Sequence, residues 1–447
     1  MAGWPGHSRR FLTGLSINRR QAQPRNELVP LDPPRPLTDR AAATPGERTA
    51  GRHVPQIDVV RIVPMVGVVA AHTVVFTQPV ASVGAAATLM LLHANRGLFF
   101  FVTGFLLVHS TRDAGRQSWT RFWRRRYPLV LVPYLAWTLI YWLQTENWQP
   151  WPPAPALNLL GTDLALGWFH LYFLLVTMQF YAVFPLLAWL VRRTRGHHWL
   201  LLGASVAVQM VFMTLFEYGS SVTPWSLRTW FSYAQVEAPS YQLAFIAGAL
   251  AADHAAECLA WVRAHGRLAL AAAAGAAVAA EAWFAGNLLL GKTAEQAADV
   301  FQPASLLVLG GALLALVVLA DWLVRSWSVE SRVWRAVKTA SRASFGVYLA
   351  HMLPMQVLLL TPLEARLGLF ALPLPARAVA VLALILGVTF ALVLVLQRTP
   401  LSLVLTGRPR PARRAPRRLP APIHKNGRAH EHQPAPHHPH RSGLDAE

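Results

Sequence analysis

Three observations predict an all-α polytopic membrane protein of about ten transmembrane helices. First, 54% of the 447 residues are hydrophobic and only 14% are charged, against about 25% charged in an ordinary soluble chain. Second, mean hydropathy is positive, and the apolar residues cluster in runs close to the ~20 needed to cross a bilayer as a helix. Third, basic residues alternate from one loop to the next, as the positive-inside rule requires.

The apolar runs predict helices over 57–77, 88–109, 128–144, 167–191, 198–217, 236–253, 267–288, 302–324, 342–362 and 376–397. Between them, loops 110–127, 192–197, 254–266 and 325–341 are basic, the first carrying Arg112, Arg116, Arg121, Arg124, Arg125 and Arg126. The alternate loops hold only scattered cations such as Arg228, Lys292 and Arg366, and 145–166 holds none. Ten spans with both termini cytoplasmic satisfy this alternation, in a cell membrane crossed many times.

Residues 1–54 read as a disordered basic cytoplasmic arm, 55–400 as the membrane domain, and 401–447 as a disordered basic and His-rich cytoplasmic tail. No cleavable leader is expected, because polar GLSINRRQAQ follows SRRFLTG where an apolar core is required. The net charge of +20 is placed for membrane topology and anionic lipid, not for nucleic acid. A single cysteine, Cys258, excludes an intramolecular disulfide and a cysteine metal cluster. No P-loop, zinc-ligand spacing or nucleophile elbow occurs in a suitable context, so no bound metal or cofactor is expected. The sequence prescribes no oligomeric state.

The chemistry is expected on the first span, IDVVRIVPMVGVVAAHTVVF. Arg61 and His72, eleven residues apart, share one helix face about 16 Å apart along the axis. Ionisable groups inside a membrane are costly and usually functional. Asp58, three residues before Arg61, can pair with it on the same face. The competing interpretation is that His72 only hydrogen-bonds a neighbouring helix. His170 opens the fourth span at a depth near that of His72, and His351 falls near the middle of the ninth. Gly104, in NRGLFFFVTGFLLVHS, allows close approach of a ligand or simply of another helix. The basic, aromatic WTRFWRRRYP is either a lipid anchor or an arginine-lined mouth for a phosphorylated donor.

Taken in order, these motifs resemble the acyltransferase 3 family of integral membrane O-acyltransferases. Arg61 and His72 match the family's arginine, ten residues, then histidine. Phe99, Phe100, Thr103, Gly104 and Phe105 resemble its second-helix pattern, with Thr103 in place of the usual serine. His170 to Leu174 with Gln179, Phe180, Tyr181 and Pro185 look like one subgroup's fourth helix. Ser344 to His351 look like its SFGIYLIH. The likeness runs from about 56 to 398. In the basic loop, Pro128 stands where the family has a second spaced arginine.

The resemblance implies transfer of an acyl group, commonly acetyl, from cytoplasmic acyl-CoA as co-substrate to a hydroxyl of a glycan, lipid-linked sugar or related acceptor. It implies His72 as general base, since an imidazole with pKa near 6.5 suits removal of a hydroxyl proton. Arg61 would orient the donor or stabilise developing negative charge, with Arg124, Arg125 and Arg126 as further donor contacts. Asp58, Phe100, Thr103, Gly104, His170, Tyr181 and His351 are the expected cavity residues. The rival functions are a multi-pass transporter, whose path is also lined by ionisable groups, and a non-catalytic family member.

Overall fold

A computed structural model describes residues 54–79, 81–111, 118–145, 154–219, 224–328 and 330–410. The arm expected over 1–54 lies outside them apart from Val54, and so does the tail beyond Arg410. Among the described residues every regular element is helical. In chain order they are α1 Pro55–Thr77, α2 Val83–Leu92, α3 Ala94–Thr111, α4 Trp119–Arg126, α5 Pro128–Thr145, α6 Ala154–Leu166, α7 Tyr172–Arg193, α8 His198–Tyr218 and α9 Trp225–Phe231. There follow α10 Gln242–Asp253, α11 Ala255–Leu289, α12 Ala294–Ala297, α13 Ser305–Ser326, α14 Arg332–Ala350, α15 Met352–Leu360, α16 Leu363–Arg366, α17 Leu374–Leu396 and α18 Ser402–Thr406.

Seven helical segments among the described residues are long and apolar enough to cross a membrane, and the bent pair α14–α15 makes an eighth if it is one span. The ten expected segments all carry helix, but two fall outside this set. In α5, Tyr134, Trp137, Thr138, Tyr141, Trp142 and Gln144 dilute the apolar character. Helix α10 has only 12 residues, about 18 Å, because two 3-10 turns take up the chain before it. Conversely, 254–266 is not a loop: α11 begins at Ala255 and kinks at His265. Large apolar side chains such as Val208, Val278 and Val379 are 60%, 69% and 66% exposed, the outward face that lipid covers in a membrane protein.

Helix α1 packs against α3, α13, α14 and α17, which places its face of functional residues inside the bundle. Helices α3 and α10 meet backbone to backbone. A Cβ at Gly104 would collide with the Phe245 carbonyl, and one at Gly248 with the Phe101 carbonyl. This is small-residue packing of the kind membrane helices use in place of a hydrophobic drive. Asp321, fully buried on α13, is held by Arg263 at 2.9 Å and Arg325 at 2.7 Å, so its charge is compensated.

The ninth expected span bends by 49° between α14 and α15, with His351 at the break. Pro354 has no N–H to donate to Ala350, and its ring crowds that carbonyl, which is the physical cause of such a bend. Carbonyls around the bend find side-chain donors: Tyr141 Oη donates to Leu349 O at 2.7 Å, and His351 Nδ1 lies 2.7 Å from Tyr348 O.

Candidate active site

Three helical segments bring the intramembrane histidines together. His72 Nδ1 lies 2.8 Å from His351 Nε2, and the two rings are nearly parallel with centroids 5.1 Å apart. His170, presented by a 3-10 turn just before α7, stands edge-on to His351 at 4.7 Å and to His72 at 5.9 Å. His170 and His351 are buried, and His72 is half-buried. Among the described residues, both ring nitrogens of His170 are sealed from solvent without a hydrogen-bond partner. Its backbone carbonyl accepts from the Tyr348 hydroxyl.

The hydrogen-bond chain determines the tautomers. A carbonyl oxygen only accepts, so Tyr348 O requires a proton on His351 Nδ1. In a neutral ring, His351 Nε2 is then the acceptor, and His72 Nδ1 is the donor across the 2.8 Å contact. That leaves a lone pair on His72 Nε2. Backbone carbonyl, His351 and His72 thus form a relay in which each group orients the next.

His72, His170, His93 and Arg96 line a cavity of about 220 Å³. Phe169, at φ 40°, is in the sparsely populated left-handed region, a strain found most often at functional sites. Its ring lies 4.9 Å from that of His72. Arg96, on α3, is half-buried, sits 5.7 Å from the Tyr172 ring centroid, and has an Nη1 sealed without an acceptor among the described residues. An adjoining cavity of about 240 Å³ shares His93, Arg96 and Gln235 with the first and adds Glu295 and Asp299.

Arg61 belongs to a different space. It lines a cavity of about 370 Å³ with Arg126, Thr103, Tyr181, Ser344 and Arg408. The cavities of His72 and Arg61 share Phe99, Phe173 and Tyr348 as a common wall, three rings in mutual contact at 5.1, 5.6 and 5.5 Å. Beside Arg61, Asp58 accepts a 2.8 Å hydrogen bond from Ser341 Oγ.

The remaining expected residues separate into three groups. Arg126 reaches the Arg61 cavity, whereas Arg124 and Arg125 are exposed and line none of the cavities described here. Phe100 is buried, stacked on Phe173 at 4.4 Å, and so supports the wall from behind. Gly104 contacts α10 rather than either cavity. Sequence reasoning passed over Arg96 and Arg408. A lone arginine in an apolar span is a signal in itself, which singles out Arg96, whereas Arg408 follows the last apolar span among basic, proline-rich sequence.

A family model described as an acyltransferase domain, acyltransferase 3, matches residues 54–396. The chain belongs to the acyltransferase 3 family. It is therefore a membrane acyltransferase, an enzyme that transfers acyl groups other than aminoacyl groups. No curated protein and no solved structure matches this acyltransferase. The family match spans the three histidines, Arg61, Arg96 and Arg126, and stops before Arg408.

Proposed function

We propose that this acyltransferase moves an acyl group, acetyl first among them, from acyl-CoA to a hydroxyl of a glycan, lipid-linked sugar or related acceptor, with His72 as general base. The observation that carries the reading is the Tyr348 carbonyl–His351–His72 relay, which leaves His72 Nε2 basic beside a cavity. The acceptor hydroxyl gives its proton to His72 Nε2, and its oxygen forms a bond to the thioester carbon. The carbonyl oxygen takes up the π pair as an oxyanion. Collapse of that intermediate breaks the C–S bond, and the departing thiolate takes the proton from His72. Arg96 provides a fixed positive charge near the reacting centre, the kind of preorganised field that lowers such barriers.

The donor occupies the arginine cavity in this reading, because guanidinium forks match phosphate geometry. Its acyl end must pass the Phe99–Phe173–Tyr348 wall to reach His72. Arg61 then holds the donor and does not stabilise the oxyanion, since it stands about 16 Å from His72 along α1. With α5 and α10 completing ten crossings, both termini and the arginine cavity face the cytoplasm, and the enzyme resides in the cell membrane.

The test uses membranes containing the full chain, supplied with radiolabelled acetyl-CoA and scored for hydroxylamine-sensitive label in the envelope fraction. Wild type should transfer label and His72→Ala should not, while remaining inserted. Equal transfer by the purified mutant would refute the base assignment. A transporter would leave acetyl-CoA unconsumed, and so would a non-catalytic family member.

A further inference from the structure

The arginine cavity is completed by a part of the chain beyond the family match. After α17 the chain turns back, and α18 packs against α5, α14 and α17. Ser402 and Thr406 are fully buried. Trp137 Nε1 donates to Leu405 O at 3.0 Å, and Ser402 Oγ donates to Arg408 O at 2.8 Å. Gly407 takes φ 63°, a left-handed turn that glycine adopts without strain, and a Cβ there would strike the Phe345 ring. The turn therefore directs the chain so that Arg408 lines the same cavity as Arg61 and Arg126. Three guanidinium groups border this cavity, and no carboxylate is among its lining residues.

We infer that Arg408, carried by a segment outside the family domain, binds the phosphate-bearing end of acyl-CoA together with Arg61 and Arg126. The inference rests on the donor assignment above and extends it to a residue that the family match does not reach. Burial lowers the Arg408 pKa to about 10, helped by repulsion from Arg61 and Arg342. It remains charged at neutral pH, so three guanidinium groups are held close together, with the nearby Asp58 carboxylate offsetting part of their repulsion. A phosphate relieves that repulsion and accepts hydrogen bonds from the guanidinium N–H groups.

The sign of this cost separates a binding role from a structural one. Because folding lowers the pKa of Arg408, its charge opposes the folded state at neutral pH. Arg408→Gln should therefore leave the ligand-free protein at least as heat-stable as wild type. In calorimetric titration of the purified full chain with coenzyme A, it should weaken binding by about tenfold or more, the loss of a charge-assisted hydrogen bond. Arg408→Lys should recover part of that loss, and Arg410→Gln, at an exposed residue outside the cavity, should stay within about twofold of wild type. Wild type that fails to bind coenzyme A overturns the donor assignment and this inference together. Wild type that binds while Arg408→Gln stays within about twofold overturns this inference alone. Weak binding coupled to a lower melting temperature, unrescued by lysine, assigns Arg408 a structural role and equally overturns it.

Discussion

Replacing His351 isolates the contribution of the relay from that of the base itself. His351→Ala removes the only partner of His72 Nδ1 among the described residues, a contact of 2.8 Å. A buried N–H left without an acceptor costs about 1–3 kcal/mol. At about 1.4 kcal/mol per decade, that shifts the balance of tautomers and ring orientations roughly 5- to 150-fold away from a basic Nε2. Turnover should fall by a comparable factor. Donor affinity should not change, because His351 does not line the arginine cavity. His351→Gln can offer a carbonyl oxygen to His72 Nδ1 and should recover part of the loss. The assay is initial-rate label transfer across a range of acetyl-CoA concentrations, with coenzyme A titration alongside. If His351→Ala turns over at the wild-type rate, or loses donor affinity in proportion to turnover, the relay does not orient His72.

Other substitutions test the surrounding structure. Tyr348→Phe removes the hydroxyl that reaches the His170 carbonyl but keeps the backbone carbonyl that orients His351; transfer should stay within about tenfold of wild type, in contrast to His351→Ala. Gly104→Ala forces α3 and α10 apart at their closest approach and should cost about 1–3 kcal/mol, read as a lower melting temperature in detergent. Asp321→Ala leaves Arg263 and Arg325 without their shared carboxylate; as both arginines are about half exposed, 49% and 60%, the loss should be about 1–2 kcal/mol in thermal unfolding. Arg61→Gln should weaken coenzyme A binding and spare the melting temperature, and unchanged affinity would remove it from the donor site.

Much of this architecture was readable because hydropathy and loop charge are properties of contiguous sequence. Helices α1, α8, α13 and α17 lie within a few residues of their expected bounds. The α14–α15 break was not anticipated, although Pro354 carried the signal. At the site, spacing placed Arg61 and His72 on one face, but it could not say that Phe99, Phe173 and Tyr348 stand between their cavities. The approach of His351 to His72 joins positions 279 residues apart, which no local pattern encodes. Arg408 was obscured for another reason. The apolar stretch before it, Leu401 to Leu405, is only a few residues long and lies between Pro400 and Pro409, so it resembles the start of a tail until the burial of Ser402 and Thr406 is seen.

The three-ring wall has a consequence for the membrane as a whole. On the proposed donor placement an acyl chain must pass from one cavity to the other, whereas an open water-filled channel would also conduct ions and dissipate the membrane potential. Here the two chambers meet at the rings of Phe99, Phe173 and Tyr348, whose faces offer a hydrated ion little to replace its water shell, the Tyr348 hydroxyl being engaged with the His170 carbonyl. An uncharged acyl thioester loses far less hydration than an ion on entering such a place. If donor and acceptor occupy the two chambers as proposed, such a wall would discriminate by hydration, admitting the acyl arm while holding back ions.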